Sequence, residues 1–365
     1  MNQSVTPEIR EVLEALHYRP AVSIIMPFEP RVCLKKELNH YLKVAADKVE
    51  KSLRDNYPEE TCTLTMRRLR DIISNLNFDT HKKGIVIYVS LLFEKVIYLD
   101  IPVEEKIIID DSFEIRDLLF ANKQHNKFIV LLLNVKETRV YRGDQSELER
   151  VEFKEPASIY AYVNDTNERM SNFSDIDERK QITVYKFFFH IDSALDHILA
   201  IYPLPIFVVG AKKILGHFKK FTRHAGSITR YIPGNYEDAT LPQLEEILKP
   251  HIAARFEAKQ KDLLKQLEEA ANHRRLAAGI KNVWQEAVND KGRLLVVEKN
   301  YRYAGQQGAN DDIIEEMTGI YNKLAFIWDA VDDVMEMVLA NGGDVEFVDE
   351  NVLKDYDHIA LVQYY

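Results

Sequence analysis

The residues best suited to hold an anion lie in one stretch of the sequence, "VVGAKKILGHFKKFTRHAGSITRY" at residues 208–231. The stretch contains no Asp or Glu. If it forms a helix, Leu215 and Phe218 face inward and the lysines share the outer face. A cationic helix face is typical of a phosphate-binding surface, although an ordinary solvated helix face has the same composition. The candidate nucleic-acid-binding residues are Lys212, Lys213, Lys219, Lys220, Arg223 and Arg230.

A second candidate for chemistry is the segment "YRYAGQQGANDD" at residues 301–312, in which two glutamines are flanked by glycines. Glycine allows a close backbone approach to a ligand, and a glutamine side chain can orient a water molecule. Such a loop is catalytic only if its place in the fold brings it to a substrate. The alternative is a flexible connection in solvent.

The histidine and aspartate pairs do not predict a metal site. His190 and His197 lie seven residues apart, as do His217 and His224. Seven helical residues span roughly 10 Å, which is too far for two ligands of one ion. The pair Asp311–Asp312 precedes a predicted helix, where carboxylates cap free amides. The sequence has no glycine-rich nucleotide loop, GxSxG elbow or HExxH motif, so it predicts no metal and no cofactor.

The polar stretch at residues 154–180 lacks the apolar periodicity of a helix or strand and is predicted to be a long loop. It carries side chains that could donate and accept protons. These candidate loop residues are Glu168, Arg169, Asp175, Asp177 and Glu178.

The 365-residue chain has the composition of a soluble globular protein of two or three domains, with 46% hydrophobic and 29% charged residues. No apolar run reaches the roughly 18 residues of a membrane span, so no membrane partner is expected. Cys33 and Cys62 form no CxxC pair, which favours a reducing cytoplasm. The net charge of −10 disfavours indiscriminate nucleic-acid binding, but it allows a local basic face and a protein partner at the acidic surface.

The apolar pattern predicts strands and helices in alternation. "AVSIIMP" at residues 21–27 is typical of a buried strand, and a helical pair follows over residues 34–76. Two further strands are predicted within residues 83–102. A second unit begins with two strands within residues 126–153 and continues with a helix over residues 182–202. Strands that alternate with helices indicate a largely parallel sheet.

The rest of the chain follows the same alternation. The strand "LPIFVVGA" precedes the basic helix, and a charged helix over residues 253–279 is predicted to connect two domains. The last unit is predicted to contain the strand "GRLLVVEK", a helix over residues 311–343 and two closing strands.

Three groups of residues resemble the archaeal and eukaryotic class one peptide-chain release factor and its relative pelota, and more closely the bacterial family homologous to them. The first group runs from "KGIVIYVS" to "VYRGD", residues 83–144, and includes the "FEIRDL" helix. The second is "LPIFVVGAKKILGHFKKF" and the third is "LANGGDVEFVDENVLKDYDHIALVQYY". "YIPGNYEDATLPQLEEIL" also resembles a segment of the bacterial branch.

The resemblance implies three α/β domains, at residues 1–126, 127–253 and 254–365. The middle domain would be ribonuclease-H-like. The last, which includes the connector helix, would have a fold like ribosomal and kink-turn-binding proteins. In the family, a Gly-Gly-Gln loop on the middle domain positions water against the peptidyl-tRNA ester.

The sequence departs from this family pattern at the residues that do the chemistry. The loop is expected within residues 154–180, which contain no glycine. Gln306 and Gln307 lie in the last domain, so "AGQQG" is interpreted as a mobile surface loop. The Asn-Ile-Lys-Ser tetrapeptide is absent, and only Phe113 remains of the tyrosine–cysteine–phenylalanine decoding set.

The resemblance and these departures together predict a release-factor-like protein that acts on ribosomes or tRNA in translation rescue or quality control. It would work without stop-codon decoding and without a Gly-Gly-Gln loop. One alternative is a peptidyl- or aminoacyl-tRNA hydrolase that uses acidic residues of the 154–180 loop. The other is a non-catalytic protein-interaction scaffold, so the sequence leaves open whether the chain is an enzyme.

Overall fold

The computed structural model describes residues 6–15, 20–123, 127–134, 137–143, 148–152, 176–308, 310, 312–316 and 326–365. The chain divides into two compact units, the first made of residues 1–124 with 260–365 and the second of residues 125–259. The predicted α/β class is confirmed, since helices pack on sheets in both units. The predicted limits of three domains stay a prediction.

The N-terminal part of the first unit is an antiparallel sheet with helices. Its elements are α1 (Pro7–Glu14), β1 (Ala21–Pro27), α2 (Lys35–Asn56), α3 (Glu59–Ser74), β2 (Gly84–Val89), β3 (Glu94–Leu99), β4 (Lys106–Asp110) and α4 (Arg116–Asn122). The strands lie in the order β3-β2-β1-β4 and every neighbouring pair is antiparallel.

Strand β1 is buried on both faces, which explains its continuous apolar run. Val22 and Ile24 face one core, where the apolar sides of α2 and α3 pack. Ala21 and Ile25 face a second core that also contains residues of the C-terminal part of the chain. The predicted strand and helical pair therefore lie where the apolar periodicity placed them.

The second unit contains a five-stranded mixed sheet. Its elements are β5 (Phe128–Leu133), β6 (Arg139–Gly143), β7 (Leu148–Val151), α5 (Ile176–Ile201), β8 (Ile206–Gly210), α6 (Lys212–Phe221), β9 (Ile228–Pro233) and the start of α7 (Leu241–Asn272). The strand order is β7-β6-β5-β8-β9. The β5–β8 and β8–β9 pairs are parallel, and the β5–β6 and β6–β7 pairs are antiparallel. The sheet is thus half antiparallel, which corrects the expectation of a largely parallel one, and this arrangement is ribonuclease-H-like.

The C-terminal part of the first unit follows α7. Its elements are β10 (Leu276–Ala278), α8 (Ile280–Val288), β11 (Gly292–Glu298), β12 (Gly305–Gln307), β13 (Ile314–Glu316), β14 (Phe326–Ile327), α9 (Ala330–Ala340), β15 (Asp344–Val348) and β16 (Ile359–Gln363). Four strands form a sheet in the order β10-β16-β11-β15, and three short strands form another in the order β13-β12-β14. In the part of the chain described, no helix has both the length and the apolarity needed to cross a bilayer.

Three predictions for this part are wrong. The helix expected over residues 311–343 is wrong at its start, because Ile314–Glu316 pairs with Gly305–Gln307 as strand β13; of its described residues, those of α9 are helical. The segment "AGQQG" is therefore not a mobile loop but includes the central strand β12 of the small sheet. Asp312 precedes a strand and caps no helix, and Asp311 lies outside the described residues.

Candidate nucleic-acid interface

Helix α6 presents its basic residues on the exposed side because its apolar residues are anchored on the sheet. Leu215 and Phe218, three residues apart, are buried in the core that α5 and α6 share with one face of the sheet. The helix begins directly after strand β8, whose last residue, Gly210, lies against the carbonyl of Leu133 on the neighbouring strand. Strand and helix together fix which side of α6 faces solvent.

The four lysines of α6 are all exposed, as the sequence predicts. No ion pair joins Lys212, Lys213, Lys219 or Lys220 to a carboxylate of the described residues. The Nζ of Lys219 lies 5.6 Å from the ring centroid of Tyr231, a cation–π contact that leaves the charge in place. These four cations are therefore free to meet an anion.

Arg223 differs from the lysines, because its guanidinium is already bound. Its Nε donates to Oδ2 of Asp192 at 2.8 Å, and its Nη2 donates to Oδ2 of Asp196 at 2.7 Å. The hydrogen bond to Asp192 and the charge of Asp196 raise the pKa of Arg223. Two carboxylates offset its charge, so Arg223 contributes little to a cationic surface.

The role that the structure gives Arg223 is to fix the end of α6 against α5. Asp192 is buried on α5, and it also accepts a hydrogen bond from the hydroxyl of Thr222 at 2.6 Å. The imidazole Nε2 of His224 lies 3.2 Å from Oδ1 of Asp196. These contacts hold the turn after α6, so the structure gives His224 a packing role.

Arg230 lies on β9 and is exposed. Its Nη1 is 3.3 Å from Nδ1 of His251. Burial and the charge of Arg230 lower the pKa of His251, so the imidazole stays neutral near Arg230 and leaves its positive charge unbalanced. Arg230 remains a candidate cation beside the lysines.

The candidate loop residues lie mostly outside the described residues. This applies to Glu168, Arg169 and Asp175. The predicted loop is wrong at its end, because residues 176–180, with Asp177 and Glu178, form the start of α5; nothing is described of these two side chains. The acid–base role of this loop stays a prediction. Across the described ranges, no group of three or more His, Cys, Asp or Glu residues could hold a metal ion.

The acidic surplus of the chain lies far along the sequence from the basic helix. Residues 260–365 contain 11 Lys and Arg against 20 Asp and Glu, a net charge of −9 out of the total of −10. The remaining 259 residues are therefore close to neutral. A basic helix in such a segment produces a local positive potential that the net charge of the whole chain conceals.

Part of this acid is buried in the first unit, a feature that sequence reasoning missed. The cluster consists of Glu114, Asp329, Asp332 and Glu336, which are buried, and Asp333, which is half-buried. Burial, with the nearby charge of Asp329, raises the pKa of Glu114 to about 7. Burial, with the charge of Asp110, raises the pKa of Asp333 to about 8. Asp329, Asp332, Asp333 and Glu336 are close in sequence but form no recognised motif, and Glu114 is more than 200 positions away, so the sequence alone does not indicate the cluster.

Residues 127–291 match the model of the bacterial archaeo-eukaryotic release factor family 3. The match covers slightly less than half of the chain and includes the whole basic stretch of α6. It confirms the resemblance that the sequence showed to the bacterial relatives of these release factors. No curated protein matches the chain.

Several solved structures are similar to this chain at low identity. The archaeal translation termination factor aRF1 is 13% identical over 100% of both chains, with a TM-score of 0.27. Archaeal Pelota, solved with ABCE1 on the ribosome, is 14% identical over 76% of this chain and 73% of its own, with a TM-score of 0.43. Dom34 of S. cerevisiae is 16% identical over 79% of this chain and 75% of its own, with a TM-score of 0.40.

Proposed function

Because residues 127–291 match the bacterial archaeo-eukaryotic release factor family, we propose that this chain is a non-decoding translation factor that acts on ribosomes or tRNA. It works in rescue or quality control and has no Gly-Gly-Gln loop. The single observation that supports this best is the exposed, unpaired lysine side of α6 within the family-matched segment. Phosphate contacts by such lysines supply most of the sequence-independent affinity for RNA.

The lysines of α6 have a favourable setting for phosphate binding. The helix contains no acidic residue, so nothing on it competes with an incoming phosphate. Lys219 and Lys220 lie in its last turn, where cations offset the negative end of the helix dipole. The helix thus remains stable in isolation from RNA while its lysines stay exposed. Arg230 extends the same cationic set on β9, and Arg223 is left out because Asp192 and Asp196 already bind it.

The missing catalytic loop supports a role other than ester hydrolysis by the family's usual chemistry. Residues 154–180 contain no glycine, although a loop that approaches an ester closely needs glycine there. Gln306, which follows a glycine in "AGQQG", belongs to strand β12 in the first unit. The proposal therefore assigns this protein binding and recognition on the translation machinery rather than peptide release.

A protein partner at the acidic surface is a further part of the proposal. Residues 260–365 hold the net charge of −9 and form part of the first unit. A basic surface on another protein would complement them, because complementary charge mainly sets association rate and partner choice. Binding of such a basic protein to this chain would support this part if it weakens steeply with salt. It should also be lost when Asp355 and Glu350 are both replaced by their amides.

The test of the main proposal is cosedimentation of the full chain with ribosomes at low and moderate salt. The test variant is the triple replacement Lys212→Gln, Lys219→Gln and Lys220→Gln. A matched control removes three exposed lysines of α2, by Lys36→Gln, Lys43→Gln and Lys51→Gln. We expect the α6 variant to lose ribosome association and the α2 variant to keep it.

The outcomes separate the parts of the proposal. Equal loss in both variants would mean that only overall charge matters, and the role of α6 would be withdrawn. Failure of the unmutated chain to sediment with ribosomes, and to bind purified tRNA, would contradict the translation role itself. Circular dichroism of each variant checks that the fold is retained, since the replaced side chains are exposed and their loss should leave stability within about 0.5 kcal/mol.

A further inference from the structure

Two exposed aromatic side chains lie on α5, and one of them, Tyr185, contacts the end of α6. Tyr185 and Phe189 lie one helical turn apart and are 56% and 57% exposed. The ring centroid of Tyr185 is 6.0 Å from that of Phe221, the last residue of α6. We call Tyr185 and Phe189 the aromatic ridge. Its contact with Phe221 makes it continuous with the helix that carries Lys219 and Lys220.

The aromatic ridge is not needed by the core beneath it. Phe187 and Phe188 of the same helix are buried, and the ring of Phe188 lies 5.6 Å from Phe218 and 6.0 Å from Phe221. The apolar run of α5 is therefore wider than the side of the helix that the core covers. A single exposed aromatic is ordinary, but neighbouring exposed rings beside a cationic helix mark an interaction surface.

The neighbouring charges indicate which kind of partner the rings fit. Lys186 follows Tyr185 in the helix and is exposed, and the lysines of α6 precede Phe221. Aromatic rings interleaved with lysines suit single-stranded nucleic acid, because bases stack on the rings while lysines contact the phosphates. A duplex keeps its bases stacked inside and offers the rings no base face.

We propose that the aromatic ridge and Lys219 and Lys220 form one site for an unpaired RNA segment, whose bases stack on Tyr185 and Phe189. The site rests on the proposed function, since both use the lysines of α6, and it deepens that function by naming unpaired RNA as the ligand. Any base can stack on an aromatic ring, so the site distinguishes single-stranded from double-stranded RNA and does not distinguish one base sequence from another.

The experiment measures fluorescence anisotropy of the full chain with a labelled oligouridine and with a labelled RNA duplex, each of about 12 nucleotides or base pairs. The variants are Tyr185→Ala with Phe189→Ala, and Lys219→Gln with Lys220→Gln. A ring-retaining control combines Tyr185→Phe with Phe189→Tyr. The salt dependence of each dissociation constant is measured in parallel.

We expect the double alanine variant to bind oligouridine at least tenfold more weakly, with an unchanged salt slope and unchanged duplex binding. The ring-retaining control should bind as the unmutated chain does. The lysine variant should bind both RNAs more weakly. The slope of its oligouridine affinity against salt concentration, on logarithmic axes, should fall by about 0.7 for each lost phosphate contact.

Four results would overturn the inference. In the first, the double alanine variant binds oligouridine as the unmutated chain does while the lysine variant binds it more weakly. That result would support phosphate binding by the lysines and contradict base stacking on the rings. Equal weakening of duplex and oligouridine by the alanines would likewise exclude a site for unpaired bases. If the alanines abolish binding of a ribosomal protein and leave oligouridine binding unchanged, the ridge is a protein-docking surface. No binding of either RNA by the unmutated chain would count against the proposed function as well.

Discussion

The carboxylate of Asp332 caps the helix that begins at Arg116. Its Oδ1 lies 2.8 Å from the backbone nitrogen of Arg116, and its Oδ2 lies 3.2 Å from that of Ile115. The two residues are 216 positions apart in sequence. The guanidinium of Arg116 in turn binds Oδ2 of Asp329, at 2.7 Å, and the carbonyl of Tyr301. The N-terminal and C-terminal parts of the first unit are thus joined through polar contacts as well as through a shared apolar core.

Replacement of Arg116 by methionine should destabilise the first unit by about 3–5 kcal/mol, because Asp329 would be left buried without its partner. Urea denaturation followed by tryptophan fluorescence measures this, since Trp284 and Trp328, the only tryptophans, both belong to that unit. The exposed Arg67→Met is the matched control and should change stability by less than about 0.5 kcal/mol.

Adding Asp329→Asn to Arg116→Met should recover part of the loss, because the double variant no longer buries an unpaired charge. Equal stability of the Arg116 variant and the unmutated chain would show that the ion pair is not what joins the two parts.

The buried acidic cluster should make the first unit less stable as pH rises. Burial, with the charge of Asp329, raises the pKa of Glu114 from 4.5 to about 7, although Lys106 and Arg116 partly oppose this. The folded state therefore holds a proton that the unfolded state releases. This contribution is complete below about pH 4.5 and is lost as pH rises through 7.

Glu114→Gln should flatten the fall of stability across this interval by up to about 1.4 kcal/mol per pH unit. Thermal unfolding of the first unit at a series of pH values measures the slope. The exposed Glu60→Gln controls for a general loss of charge. A slope in Glu114→Gln identical to that of the unmutated chain would contradict the raised pKa.

Asp192 should matter more to the second unit than Asp196, although both bind Arg223. Asp192 is buried and also accepts from Thr222, whereas Asp196 is about half exposed. Asp192→Ala should cost about 1.5–3 kcal/mol and Asp196→Ala less than about 1 kcal/mol. Hydrogen exchange of the amides in α6 measures the difference, and similar protection loss in both variants would refute it.

Gly210, which ends β8 before α6, and Gly216, which lies within α6, should respond oppositely to alanine. A Cβ at Gly210 would lie 2.5 Å from the backbone oxygen of Leu133, so Gly210→Ala should destabilise the second unit by about 1–3 kcal/mol. A Cβ at Gly216 meets nothing within 4 Å, so Gly216→Ala should stabilise α6 by about 0.5–1 kcal/mol. Thermal unfolding followed by far-ultraviolet circular dichroism compares them. Destabilisation by both would mean that the space around Gly216 is filled.

Sequence patterns succeeded where one element's own periodicity decides its structure. Strand β1 matches the predicted residues 21–27, and α6 begins at the predicted lysines. In both cases the apolar spacing within a few turns or pleats already fits one secondary structure. The exposure of Lys212 and Lys219 followed in the same way, because the buried residues of the helix define the opposite face.

Sequence patterns failed where a contact with a residue elsewhere in the chain determines the local structure. Residues 314–316 fit a helix by spacing, yet Ile314 is buried against Gly305 and the segment pairs with β12. Local propensity is weak compared with such pairing. Arg223 likewise appears in sequence as one more cation, and only its contact with Asp192, 31 residues away, removes it from the basic face.

The sequence by itself determined the α/β class, the two helices α5 and α6 and the basic character of α6, because these depend on residues a few positions apart. The tertiary structure alone decided which cations stay free, which aromatic rings stay exposed and which carboxylates are buried together. Those properties depend on groups that only folding brings within a few ångströms, and electrostatic and packing energies fall off over that distance.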